Sequence, residues 1–264
     1  MYKDLAVVFL GDNYYYNLGF LKAIKENDLY ENFKATTGTS LGALFSILFA
    51  NSDYNSIEEV CSLLDNINKC KLNKEFIFNK LNMYTINKNF RNKFLKWAEI
   101  ISNKGIIKRQ DLSDIFTSEN VNILYENEYH MDCYNICYEL PFMGRKVEKV
   151  NDNPKNIKDV ILNSIASPVV FHKDSVKTRS YITSDVDCKS VIDVLKEEGY
   201  KKILVVNSEK DRYSVNFNDN DILEITNTTL ESNIKLDEEL KSQMIDKGYK
   251  DTVNFIKCSF KNIA

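Results

Sequence analysis

Hydrophobic positions change period several times along the chain, and each change marks an element. Leu5-Ala-Val-Val-Phe-Leu10 is an unbroken apolar run of strand length, the pattern of a strand covered on both faces in a parallel sheet. Gly11–Asn17 reads as a loop, after which Leu18, Phe20, Leu21, Ala23 and Ile24 recur at helical spacing up to Asn27. A short strand over residues 33–38 and an apolar helix from Leu41 follow. The first fifty residues therefore read β-α-β-turn-α, a right-handed crossover in an open α/β sheet, where ligands bind at the carboxyl ends of strands.

Beyond residue 50 the pattern predicts an amphipathic helix at 56–67, a short helix at 111–116, and a strand at 131–140 with a hairpin partner at 145–150. A helix at 155–166 and a loop over Tyr181–Lys189 come next. A helix at 190–198, stopped by Gly199, leads to a buried strand at 202–207, a further strand at 221–226, and a last helix from about 236 to 260 broken near Gly248. No repeat or low-complexity linker divides the chain, so the expectation is a single domain over residues 1–264.

Composition narrows the partners. The 264 residues are 44% hydrophobic with a net charge of −3, which gives a globular core and no global attraction for nucleic acid. One local exception is residues 69–97, where eight cations, among them Lys93 and Lys96, stand against Glu75 alone and alternate with Phe76, Phe78, Tyr84, Phe90, Phe94 and Trp97. This stretch is a candidate lid or lipid-facing insertion, suited to peripheral contact with an anionic membrane. The six cysteines contain no C-x-x-C pair. Cys133 and Cys137 would share one face of a strand, as buried thiols rather than zinc ligands, so no metal and no cofactor is expected. With no signal-peptide pattern and no membrane-length apolar run, a cytoplasmic chain is expected.

Candidate chemistry lies at Gly38-Thr-Ser40-Leu-Gly42, a G-x-S-x-G between strand and helix. In that context the motif makes a sharp turn that presents the serine hydroxyl, with unpaired helix N–H groups behind it. Ser40 is the candidate nucleophile. A serine-histidine arrangement would place its histidine late in the chain, whereas His130 and His172 are mid-chain. An aspartate acting alone on the serine is the alternative.

These residues resemble the patatin-like phospholipase family. Gly19-Phe-Leu-Lys-Ala-Ile24, Gly38-Thr-Ser-Leu-Gly-Ala43, Ile165-Ala-Ser-Pro168 with Phe171, the segment Tyr181–Leu195, and Gly248-Tyr-Lys-Asp251 follow that family's order and spacing over nearly the whole chain. The resemblance implies a three-layer α/β/α fold around a mostly parallel sheet, and hydrolysis of a phospholipid or other lipid ester by a Ser/Asp pair. Two motifs depart from the family pattern. Its glycine-rich oxyanion loop falls on Phe9–Tyr14, where only Gly11 is retained, so the implied donors are the backbone N–H groups of Gly11 and Asp12. Its D-G-[AG] falls on Thr183-Ser184-Asp185, which puts Thr183 at the aspartate position and leaves Asp185, two residues on, to act as partner; Asp187 and Asp174 are poorer choices. Two readings follow: an active lipid acyl hydrolase, or an impaired member that binds lipid or a protein partner in the same pocket.

Overall fold

The computed structural model describes residues 5–51, 129–140, 144–153, 157–164, 180–209, 221–228 and 238–260. The basic aromatic stretch 69–97, the helices expected at 56–67 and 111–116, the Ile165–Phe171 segment, His172 and Asp174 lie outside the described residues. In chain order the described elements are β1 (Leu5–Leu10), α1 (Tyr14–Glu26), β2 (Phe33–Gly38), α2 (Leu41–Asn51), β3 (Asp132–Leu140), β4 (Gly144–Lys149), α3 (Ile157–Ser164), β5 (Ser180–Thr183), α4 (Lys189–Glu197), β6 (Lys202–Asn207), β7 (Ile222–Thr226) and α5 (Glu238–Phe255).

The strands form one mixed sheet in the order β4-β3-β2-β1-β6-β7, with β5 also on β3. β1, β2, β6, β7 and the start of β3 run parallel, while β4 and β5 lie antiparallel to β3. The apolar run of β1 is buried on both faces, as its lack of alternation predicts. Leu5, Val7 and Phe9 join a core with residues of α1, α2, α3 and α5; Ala6, Val8 and Leu10 join a second core with Val191, Ile192, Val194 and Leu195 of α4. Helices on both faces of one sheet make three α/β/α layers.

Phenylalanine dominates the larger core. Phe9 of the central strand meets Phe20 of α1 and Phe45 and Phe49 of α2 at centroid separations of 5.7, 4.9 and 5.3 Å, all edge to face. Each such ring contributes about 1.5–3 kcal/mol by burial, and the rings clamp α1 and α2 onto the strand that leads to the candidate site.

Three expectations are corrected. Helix α1 begins at Tyr14, not Leu18, because the Asn13 side chain caps it by accepting the Tyr16 N–H at 3.0 Å, and the three tyrosines read as loop are buried helix residues. Helix α5 runs unbroken through Gly248. There α1 crosses α5: a methyl group on Gly248 would overlap the carbonyl of Tyr16, and one on Gly19 that of Ile245. The crossing is fastened by the Tyr16 hydroxyl donating to Asp251 at 2.9 Å; burial, with that carboxylate beside it, pushes the phenol above its ordinary range. Finally, the supposed loop from Tyr181 contains β5 and a single 3₁₀ turn, Ser184–Asp187. Cys133 and Cys137 are buried thiols that form no disulfide among the described residues, and burial raises Cys133 to about 12. Among the described residues no helix is long and apolar enough to cross a membrane.

Candidate active site

Strand β3 pairs with β2 only at Asp132 and Cys133. From Cys137 onward the same edge is taken by β5, since the opposite edge is filled by β4. Running against β3, β5 ends at Thr183 opposite Cys137. Its chain therefore arrives at the carboxyl end of β2, where buried Ser184 donates to the Gly38 carbonyl at a long 3.4 Å. In this way the Thr183-Ser184-Asp185 segment is brought to the serine elbow, with Ser184 and Gly38, 146 positions apart, joined by a side-chain-to-backbone hydrogen bond. Asp185 lies in the 3₁₀ turn directly after that contact.

The elbow itself is closed by backbone-to-backbone packing. The Thr39 N–H donates to the Phe9 carbonyl at 3.0 Å, binding the turn to the end of β1. A Cβ on Gly38 would lie 2.7 Å from the Phe9 oxygen, and one on Gly42 would overlap the same atom. Neither position admits a side chain. Between them Ser40 has φ 52°, the left-handed region that costs a non-glycine residue about 1–2 kcal/mol. It is 6% exposed. The hydroxyls of Thr37 and Thr39, buried beside it, have no hydrogen-bond partner among the described residues.

The bend after β1 passes over this turn. Gly11 takes φ 98°, and a Cβ there would sit 2.5 Å from Ser208 Oγ. Ser208 follows β6 and is fixed by donating from its hydroxyl to the Leu10 carbonyl at 2.9 Å; it accepts the Asn13 N–H at 3.3 Å. The Asp12 side chain reaches back to the elbow, and its Oδ1 accepts the Leu41 N–H at 3.2 Å. That donor belongs to the first residue of α2, immediately after Ser40. Sequence reading had credited Gly11 and Asp12 with backbone donors only; the carboxylate contact and the Ser208 brace were both missed. The brace had a signal, since residues following β6 must lie at the ligand end of a parallel sheet.

The other candidates are placed elsewhere. Asp187 is exposed and accepts the Tyr138 hydroxyl at 3.2 Å. His130 donates its N–H to the Ala50 carbonyl at 2.9 Å, near the far end of α2 and so about 14 Å along the helix from Ser40.

Among solved structures, the chain is similar to VipD from Legionella pneumophila, with a TM-score of 0.50 and 13% identity over 97% of this chain and 67% of that one. It is also similar to ExoU in the ExoU–SpcU complex from the type III secretion system of Pseudomonas aeruginosa, with a TM-score of 0.51 and 12% identity over 97% of this chain and 51% of that one. The fold is patatin-like. The chain spans about half the length of ExoU, and at these identities the likeness concerns the fold alone. By sequence, no family model and no curated protein matches. Within the patatin-like fold, the serine turn between β2 and α2, the bend after β1 and the end of β5 meet at the carboxyl end of the central strands.

Proposed function

We propose that this chain is a patatin-like serine lipid acyl hydrolase with Ser40 as nucleophile. The observation that carries the reading is the strained, glycine-flanked Ser40, held at φ 52° where β2 turns into α2. Strain of this kind persists where surrounding packing over-determines it and is concentrated at functional positions. Ser40 Oγ attacks the ester carbonyl of a phospholipid or other lipid ester while its proton passes to Asp185. The carbonyl oxygen becomes an oxyanion held by backbone N–H groups at Gly11 and Asp12, and the alcohol leaves with a proton. Water then attacks the acyl-enzyme, giving a proton to Asp185; the Ser40 Oγ–acyl bond breaks, the carboxylic acid leaves, and the proton returns to Ser40 Oγ. The arrival of the 183–185 segment at the elbow supports Asp185 as partner.

The test is turnover of fluorogenic phospholipid and neutral-lipid esters by wild type, Ser40→Ala and Asp185→Asn. Both variants are expected to lose at least about 10³-fold in rate. Equal rates for wild type and Ser40→Ala would end the reading. A second reading, an impaired member that retains lipid or a protein partner in the same pocket, is favoured by one observation, the Asp12 carboxylate bound to the Leu41 N–H. It predicts lipid co-purification without Ser40-dependent turnover.

A further inference from the structure

We infer that the Asp12 side chain is an autoinhibitory contact, holding the Ser40 elbow in a slow state by occupying a backbone donor that the oxyanion needs. The inference rests on the hydrolase reading and deepens it. Leu41 carries the first N–H of α2, a donor that helix geometry leaves unpaired and that points along the positive end of the helix dipole. In α/β-hydrolase elbows the N–H of the residue after the nucleophilic serine is an oxyanion donor, and the Leu41 N–H, first in α2, is placed to add to the Gly11 and Asp12 donors in the same way. Here that donor is already engaged, at 3.2 Å, by Asp12 Oδ1. An oxyanion forming at Ser40 therefore meets one donor fewer and a carboxylate charge of its own sign.

Asp12 is held in place on both sides. Gly11 is fixed at φ 98° against Ser208. Asn13 is tied three ways: its N–H to Ser208 Oγ at 3.3 Å, its Oδ1 to the Tyr16 N–H at 3.0 Å, and its Nδ2 to Met244 Sδ at 3.3 Å. The contact is thus built into the bend. Gly11 and Asn13 are buried while Asp12 between them is partly exposed, so its side chain borders water. Loss of the contact frees the Leu41 donor.

The experiment is the pseudo-first-order labelling rate of the purified full chain by a fluorophosphonate, with melting temperature measured in parallel. In labelling, a bond forms between Ser40 Oγ and phosphorus, the P–F bond breaks, fluoride leaves with its electron pair, and the serine proton passes to the base. The phosphonyl oxygen stands where the ester oxyanion would. Asp12→Asn, nearly isosteric, is expected to label about tenfold faster than wild type. Asp12→Gly, which removes the acceptor, should be faster again, up to about 10²-fold, the lower end of what one oxyanion donor contributes. Ser40→Ala should not label. If labelling depends on Ser40 but both Asp12 variants react no faster than wild type, the hydrolase reading stands and the autoinhibitory contact is overturned. A drop in melting temperature without a gain in rate would reduce Asp12 to a helix cap. Absence of labelling in wild type and in both folded Asp12 variants would overturn the contact and the hydrolase reading together.

Discussion

At the amino end of β3, Asp132 accepts from the Lys149 ammonium at 2.9 Å and the Tyr200 hydroxyl at 3.0 Å, while the Tyr134 hydroxyl donates to Glu198 at 3.2 Å. At the carboxyl end of β2, the buried hydroxyls of Thr37 and Thr39 make no hydrogen bond among the described residues and Ser40 sits in a left-handed conformation. The first cluster is paired within itself; the second sets two buried hydroxyls that have no partner among the described residues beside a strained serine. Buried polar atoms left without partners cost stability. Strain is kept where geometry serves something other than folding. The Asp132 cluster is accordingly read as scaffold and the strained Ser40 turn as the candidate working surface, and substitutions at each should separate stability from reactivity.

The largest stability effect should come from the elbow's packing. Gly42→Ala places a methyl group on the Phe9 carbonyl and is expected to cost about 3 kcal/mol in a denaturant melt. Gly144→Ala, which meets open space, should stay within about 0.5 kcal/mol. Equal effects would mean that the elbow is not tightly closed. Next, Asp132→Ala removes the shared acceptor of Lys149 and Tyr200. It should cost about 0.5–1.5 kcal/mol while leaving the labelling rate of Ser40 unchanged. The same cluster sets an alkaline limit. Burial first, and Asp132 second, raise Tyr200 from 10.0 to about 12. A folded state that keeps this phenol protonated has its full stability below pH 10 and loses it as pH rises towards 12. In Asp132→Ala the burial and Glu198 contributions should remain while the Asp132 part is lost, so the loss over this window should be shallower.

The smallest effect has the opposite sign. Ser40→Gly relieves the left-handed strain and should stabilise the fold by about 1 kcal/mol, while abolishing hydrolysis. A destabilised Ser40→Gly would show that Ser40 contributes more through its contacts than it costs in strain, and the contrast between the two ends would lose its basis.

Legibility in the sequence followed the same division. The buried run of β1, the β1-α1-β2 crossover, the G-x-S-x-G turn and the Gly199 stop could be read because apolar period and glycine placement are local signals. The start of α1 could not, since three consecutive tyrosines carry no helical period and the cap depends on the Asn13 side chain. Four-residue β5 is too short to alternate, and it becomes a strand by filling the edge of β3 that β2 leaves. Gly248 looked like a helix breaker because its reason for being glycine, the carbonyl of Tyr16, is more than two hundred positions away. The Asp12–Leu41 contact is of the same kind: each residue was visible, but their meeting is a property of the folded bend.

The most direct measurement is mass-spectrometric mapping of the covalent adduct formed when the full chain reacts with a fluorophosphonate. The account predicts a single phosphonylated peptide carrying the adduct on Ser40, absent from Ser40→Ala. An adduct that persists in Ser40→Ala, or a folded wild-type chain that forms none with either a long-chain or a small probe, would contradict it.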